Sequence, residues 1–115
     1  MMSILLVLKI VCAAGTAVTG FGSLIAPRSI KGFTGLDTTG PRGITEIRAV
    51  LGALFIGAGL APFILGASAA YQALGITYLA IALARTISMF VDKSVMQSNL
   101  ISLAVEVVFG LILVL

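Results

Sequence analysis

Four long apolar segments, separated by shorter polar connectors, make up nearly the whole chain. The apolar segments cover residues 3–26, 41–65, 69–91 and 97–115. A membrane-spanning helix needs about 20 consecutive, mostly apolar residues, so each segment is long enough to cross a bilayer. Pro27 stops the first helix, and Thr39-Gly40-Pro41 is typical of a helix start. The pattern predicts four transmembrane helices.

The three connectors differ in length, and their lengths constrain how the helices pack. The first connector, residues 27–42, is a polar loop, whereas residues 66–68 and 92–96 form tight turns. Short connections force consecutive helices to lie antiparallel. We therefore expect one all-α domain over residues 1–115, an integral membrane four-helix bundle with up-down topology.

The composition supports a membrane protein and removes several kinds of chemistry. Hydrophobic residues make up 60% of the chain and charged residues 10%, whereas soluble domains are about 45–50% apolar and about 25% charged. The chain contains no histidine and a single cysteine, Cys12. This excludes Ser-His-Asp triads, His-ligated haem, an internal disulfide and nearly every zinc site. We expect no catalytic residue, no metal site and no cofactor.

The basic residues indicate an orientation in the membrane rather than a nucleic-acid partner. The net charge is +3, and the seven Lys and Arg residues form no run. Three of them lie in the first loop and Lys93 lies in the third, whereas the second loop has none. We expect the chain to lie in the cell (inner) membrane. The positive-inside rule then places loops 27–42 and 92–96 on the cytoplasmic side and both termini on the outward side. Lys9 opposes this orientation, although its long side chain can reach toward the N-terminal interface.

Several ionisable side chains lie within or beside the predicted spans, where a charge at the bilayer centre costs about 2.5–3.5 kcal/mol or more. They are Glu46, Arg48, Arg85, Asp92 and Glu106. A helical rise of about 1.5 Å per residue puts all of them in the cytoplasmic half of the membrane or at its centre. Because a guanidinium group can serve two carboxylates, we expect Arg85 to bridge Glu46 and Glu106. Asp92 or Arg48 would be further partners in this buried network.

Each predicted helix also carries one stripe of small or polar residues, which we expect to face the bundle interior. In the first helix the stripe is Lys9, Cys12, Thr16, Thr19 and Ser23. In the second helix it is Glu46, Ala49, Ala53 and Gly57. In the third helix it is Tyr71, Tyr78, Arg85 and Asp92, with Ser88 between the last two. In the fourth helix it is Asn99, Ser102 and Glu106.

The charged residues and their neighbouring hydroxyl groups together form the candidate site. Its members are Glu46, Arg48, Tyr78, Arg85, Ser88, Asp92, Ser102 and Glu106. Gly52, Ala53, Gly57 and Gly59 lie in the middle of the second helix, where small residues favour close approach to a neighbouring helix.

Two short motifs resemble those of a known family. Residues 43–52 follow G-x-x-E-x-R-x-x-x-G at the start of the second helix, and residues 85–92 follow R-x-x-S-x-x-x-D. Both motifs, and an acidic residue at Glu106, resemble domain-of-unknown-function family 4345, a bacterial family of small four-helix membrane proteins. The architecture is more remotely similar to DoxX-like proteins. The resemblance covers nearly the whole chain and implies the fold and the five charged positions, but no activity. The family usually has Gly after the aspartate, where this chain has Lys93.

Three functions remain open at this point. The first is a non-enzymatic bundle that binds a small amphipathic ligand, such as a lipid, quinone or isoprenoid, or that serves as an accessory subunit of a membrane complex. The second is a proton-coupled transporter that works as a homodimer, with Glu106 exchanging protons. The third is an enzyme acting on a membrane-embedded substrate, with Glu46 or Glu106 as the acid–base group. A network that only sets the helix register is an alternative to all three. The expected partners are the bilayer and a lipid-like molecule, and not nucleic acid.

Overall fold

A computed structural model describes residues 3–115 of the chain. Over this range the regular secondary structure is helical, without a β-strand, so the predicted all-α fold is confirmed. The helices are α1 (Ile4–Ile25), α2 (Lys31–Thr34), α3 (Pro41–Leu65), α4 (Ser68–Val91) and α5 (Gln97–Val114). The four long helices have the length and the apolar composition needed to cross a membrane. The chain is therefore a multi-pass membrane protein.

Local sequence signals set the ends of these helices. The hydroxyl oxygen of Ser3 accepts a hydrogen bond from the Leu6 N–H at 3.1 Å and caps the start of α1. Helix α3 begins at Pro41, whose fixed φ suits the first helical position. It ends at Leu65 and is capped by Gly66, which has a φ of +62° and adopts the left-handed conformation common after a helix C-terminus. The two-residue connection that follows makes α3 and α4 antiparallel neighbours.

The long helices associate mainly as two closely packed pairs. Helix α1 packs along α3, and α4 packs along α5, while contacts between the two pairs are sparser. Glycine allows the close approach within each pair. A Cβ atom added at Gly59 would lie 2.6 Å from the backbone oxygen of Ala13, and one added at Gly75 would lie 2.8 Å from the Leu113 Cβ. The helices of each pair thus touch at small residues, as is common in membranes.

The bundle has two unlike halves. We call the half next to residues 26–40 the first-loop half, and the half that contains Gly66 and the C-terminus the opposite half. The buried core runs from the middle of the bundle into the opposite half and joins the two helix pairs. Its members are Cys12, Ala13, Tyr71, Leu74, Tyr78 and Leu113. The buried polar side chains of the described chain are Lys9, Thr16, Ser23 and Glu106.

Helix α3 contains a π-helical stretch, Ile47–Leu54, which changes the face that it buries. In a π-helix each hydrogen bond spans five residues instead of four, and the buried residues Ile47 and Gly52 are five positions apart. The predicted inward stripe of Glu46, Ala49, Ala53 and Gly57 is exposed instead. That prediction was wrong because it applied the period of an α-helix to a stretch with a wider turn.

Candidate functional site

A cavity of about 660 Å³ lies in the first-loop half, between the α1–α3 pair and the α4–α5 pair. Its walls are mostly apolar, with a few polar groups. The polar side chains that line it are Thr19, Ser23, Ser29, Thr34, Tyr78, Arg85, Ser102 and Glu106. Pockets that hold small molecules typically measure about 300–1,000 Å³, so this cavity has the size of a ligand site.

Arg85 and Glu106 form an ion pair in the wall of the cavity. The Arg85 Nε donates to both carboxylate oxygens of Glu106, at 2.8 and 2.9 Å, and Nη2 lies 2.7 Å from Oε1. The Glu106 side chain is 8% exposed and that of Arg85 is 30% exposed. The structure thus brings together these two predicted residues. The planar guanidinium fork suits such a partly buried pair, which ties α4 to α5.

Asn99 is the further partner of Arg85. The Arg85 Nη1 donates to Asn99 Oδ1 at 2.9 Å, and the Asn99 Nδ2 donates to the backbone oxygen of Ser94 at 2.8 Å. The sequence placed Asn99 on the inward stripe of the fourth helix but outside the candidate site. Its spacing in the sequence could have identified it as a member of the site. Asn99 precedes Glu106 by seven residues, or two helical turns, so both side chains face α4.

Glu46 and Arg48 lie away from this pair, so the predicted bridge from Arg85 to Glu46 was wrong. Glu46 pairs with Arg42, one turn earlier on the same helix, and both side chains are exposed. The Arg48 Nε donates to the backbone oxygen of Leu24 at 3.1 Å. The stretch Ile47–Leu54 of α3 packs on α1, whereas α4 packs on α5. The two sets of charges therefore belong to different helix pairs.

Asp92 and Ser88 are exposed and line a smaller cleft of about 390 Å³ that also includes Arg85. Among residues 3–115, Asp92 and Arg85 form no ion pair. The prediction that Asp92 or Arg48 completes the network was therefore also wrong. Asp92 is the C-cap of α4, and its N–H donates to the Ser88 backbone oxygen at 2.7 Å. Asp92 thus lies at the exposed end of α4.

Tyr78 lies where the cavity meets the buried core. Its hydroxyl group is 2.5 Å from the Thr16 Oγ1, which in turn donates to the backbone oxygen of Cys12 at 2.8 Å. Because the single Thr16 hydroxyl proton is directed to Cys12, Tyr78 is the donor in the contact with Thr16. The Tyr78 ring packs edge-on against Phe109, with centroids 5.5 Å apart. Tyr78 therefore joins α1 to α4 and α5 and forms the inner end of the cavity.

The segment from Pro27 to Thr34 borders the cavity at the end of the bundle that carries the first loop. Ile30 and Phe33 contribute apolar wall here, and α2 contacts α5. An ion pair between Lys31 and Asp37, at 2.9 Å, closes the turn that follows α2. The Lys31 ammonium and the Thr38 N–H hold the pKa of the Asp37 carboxyl below its usual range.

The cavity wall can form hydrogen bonds and apolar contacts with a bound molecule, rather than ligate a metal ion. In the part of the chain that the structure describes, no three side chains of Cys, Asp or Glu come together in a way that could hold a metal ion. The charged groups that line the cavity are Arg85 and Glu106, and each is neutralised by the other. The arrangement can therefore hold an amphipathic molecule with its polar end at this pair.

Comparison with curated proteins gave no match, and comparison with solved structures gave none either. A family model described as "Domain of unknown function (DUF4345)" matches residues 4–115. The match covers α1 to α5, and it confirms the resemblance carried by the motifs around Glu46 and Arg85. The chain therefore belongs to the DUF4345 family of proteins of unknown function.

Proposed function

We propose that this protein is a non-enzymatic membrane bundle that binds a small amphipathic molecule, such as a lipid, quinone or isoprenoid, beside Arg85. The observation that carries the proposal is the cavity of about 660 Å³, with its mostly apolar walls and one ion pair. Small-molecule sites in proteins combine these two features, because apolar walls supply affinity and a few polar groups set the orientation.

The position of the ion pair supports ligand binding over a purely structural role. Burial of two charges carries a desolvation cost that well-packed apolar residues avoid. An ion pair that served only to set the helix register could be fully enclosed between two packed helices. Arg85 and Glu106 instead border an open volume, where a ligand can contact them.

The proposal is tested by native mass spectrometry of the protein purified in a mild detergent, with lipidomic identification of the molecules that co-purify. We expect a stoichiometric ligand in the unmodified protein and its loss in Arg85→Ala. The matched control is Arg42→Ala, which removes the arginine of the exposed pair with Glu46 and should keep the ligand.

A second variant separates loss of the site from loss of the fold. Ser102→Phe fills the cavity and leaves the Arg85–Glu106 pair in place, because Ser102 lines the cavity without taking part in that pair. Accessibility of the buried Cys12 thiol to a dye reports whether the bundle stays closed. A ligand-free unmodified protein, or a ligand retained by both Arg85→Ala and Ser102→Phe, would contradict the proposal.

We also propose that the first-loop end faces the cytoplasm at the cell (inner) membrane. Arg28, Lys31, Arg42 and Lys93 are all exposed at this end, and the turn at Gly66 at the other end has no basic residue. This is the distribution that the positive-inside rule describes.

Cysteine labelling in intact cells tests the orientation. Ala67 and Leu36 are both exposed, so a cysteine at either position can react with a reagent that reaches it. In a Cys12→Ala background, a membrane-impermeant thiol reagent added outside the cells should label Ala67→Cys, which faces outward, and spare Leu36→Cys, which faces the cytoplasm. The reverse labelling pattern would overturn the orientation without affecting the ligand proposal.

A further inference from the structure

The hydroxyl groups in the wall of the cavity mostly donate their protons to the backbone. Thr19 donates to the Gly15 oxygen at 2.8 Å, Ser29 to the Ala26 oxygen at 2.7 Å, and Thr34 to the Ile30 oxygen at 2.8 Å. Ser23 makes the same kind of bond, at 3.5 Å, to Thr19. A hydroxyl group has one proton and two lone pairs. With their protons engaged, these side chains can offer the cavity only acceptors.

The phenol at the inner end of the cavity follows the same rule. Tyr78 donates to Thr16, whose own proton is directed to Cys12. The Tyr78 oxygen therefore also remains only as an acceptor. The carboxylate of Glu106 adds acceptor capacity, because two oxygens offer about four lone-pair sites and Arg85 occupies three of them.

Donors toward the cavity come mainly from Arg85. A guanidinium group carries five N–H bonds, and three of those in Arg85 have partners in Glu106 and Asn99. Two N–H bonds have no partner among residues 3–115, on a side chain that is 30% exposed and borders both the cavity and the smaller cleft. Ser102 adds one hydroxyl group, which makes no hydrogen bond recorded among residues 3–115. The wall is thus rich in acceptors and has few donors.

The charge of the wall sets a second requirement. Arg85 and Glu106 neutralise each other, and no other charged side chain lines the cavity in the described part of the chain. A ligand with a charged polar end would leave one charge unpaired in an apolar surrounding, which is costly. The polar end of a well-matched ligand is therefore uncharged.

We propose that the ligand ends in an uncharged hydroxyl group on an apolar chain, and that this hydroxyl donates to Glu106 or a wall hydroxyl and accepts from Arg85. Long-chain alcohols and monoacylglycerols share this chemistry. The assignment rests on the proposed ligand-binding function and narrows it, since a quinone offers acceptors alone and a fatty acid carries a charge.

Four probes built on a sixteen-carbon chain test the assignment on the full chain in phosphatidylcholine nanodiscs. They are hexadecanol, hexadecyl methyl ether, palmitic acid and hexadecylamine. Each competes against hexadecanol that carries a photoactivatable diazirine in its chain, and mass spectrometry locates the cross-linked peptide. We expect cross-links on the cavity-lining turns of α4 and α5. Hexadecanol should compete at least tenfold better than the ether, which cannot donate, and better than both charged probes.

Two variants extend the test to the charge of the wall. Glu106→Gln leaves the Arg85 charge unpaired, so palmitic acid should become the best competitor. The charge-swapped double variant, Arg85→Glu with Glu106→Arg, restores a neutral pair and should restore the preference for the alcohol. Glu46→Gln is the matched control, because its carboxylate belongs to the exposed pair with Arg42, and it should leave the order of the probes unchanged.

The outcomes separate this inference from the proposal on which it rests. Cross-links absent from the cavity with every probe would overturn ligand binding itself. Cross-links in the cavity with equal competition by the alcohol and the ether would overturn only the hydroxyl assignment, as would an unmodified protein that prefers the acid or the amine. Because the unmodified protein gives a complete probe series, the test holds even if a variant fails to fold. A parallel arm with monopalmitoylglycerol distinguishes a glycerol ester from a simple alcohol as the source of the hydroxyl.

Discussion

In the opposite half of the bundle the two helix pairs meet in a closed core, whereas in the first-loop half a cavity of about 660 Å³ separates them. The core is built from side chains that leave almost no exposed surface, such as Ala13 and Leu113 at 0%. The cavity is bordered by polar groups from α1, α4 and α5, whereas α3 contributes the apolar side chains of Leu51 and Phe55. The same helices thus associate by packing in one half and keep a space open in the other.

The two Arg–Glu pairs of the molecule show what this difference means for charges. Arg42 and Glu46 lie one turn apart on α3, with side chains 80% and 53% exposed, whereas the Glu106 side chain is 8% exposed. Solvent screens the first pair, and such exposed pairs contribute little to stability. The second pair joins α4 to α5 beside the cavity, where each charge depends on the other. The two pairs have the same residue types, so the difference in burial decides how much each contributes to stability.

Removal of one partner of the buried pair should have the largest effect on stability. In Arg85→Met the Glu106 carboxylate remains buried without a partner, and we expect a loss of about 3–5 kcal/mol in the free energy of unfolding. Reaction of the only cysteine, the buried Cys12, with a thiol dye during denaturation in detergent measures the change. Arg42→Met is the control and should cost about 0.3–0.5 kcal/mol. Similar losses in both variants would remove the distinction between the two pairs.

Close packing within a helix pair should be the next most sensitive feature. A Cβ atom at Gly59 would lie 2.6 Å from backbone atoms of Ala13 and Ala17, which cannot move without separating α1 from α3. We expect Gly59→Ala to lower the free energy of unfolding by about 1–3 kcal/mol, measured with the same dye.

Gly57 supplies the matched control for this overpacking. It lies two residues away on α3, with nothing within 4 Å of the added Cβ atom. Gly57→Ala should be neutral or stabilise by up to about 1 kcal/mol, because alanine favours the helix. If Gly59→Ala behaved in the same way, α1 and α3 would not be in close contact.

Loss of the hydrogen bond at the boundary between the two halves should have a smaller effect. Tyr78→Phe removes the donor to Thr16 and should cost about 0.5–1.5 kcal/mol. Tyr71→Phe makes the same chemical change at a buried tyrosine whose ring packs edge-on against Phe63 and for which no side-chain hydrogen bond is recorded among residues 3–115. Denaturation monitored by circular dichroism should therefore show a greater loss for Tyr78→Phe. The opposite order would mean that the Tyr78 bond does not join α1 to α4.

Acidification should have the smallest effect, confined to the turn after α2. The Lys31 ammonium lowers the pKa of Asp37 in the folded protein, so the pair stabilises the turn above the ordinary aspartate pKa of about 3.9. This stabilisation is lost as the pH falls through the lowered pKa. An NMR titration of the Asp37 carboxyl group should show a midpoint below the ordinary value in the native chain and a return toward it in Lys31→Gln. A midpoint that Lys31→Gln does not change would exclude this ion pair.

The features that could be predicted are those that follow from short-range chemistry. The lengths of the apolar segments and the proline at position 41 indicated where the long helices lie, because the bilayer sets the length and proline favours the first helical position. The contact between Arg85 and Glu106 could also be anticipated, since charges inside apolar helices need partners. The same reasoning failed for Glu46, because a position near a helix end allows a local partner in water.

By itself, the sequence determined that the chain is an all-α membrane protein with four spans, since hydropathy and length depend only on residue type and order. The tertiary structure decided which helices pair, which face of α3 is buried and where a space remains. These properties depend on the wider turn at Ile47–Leu54 and on the sparse contact between the two helix pairs. Neither is encoded in a local pattern, because each arises from how distant segments fit together. The cavity beside Arg85, and with it the candidate site, is a product of that fit.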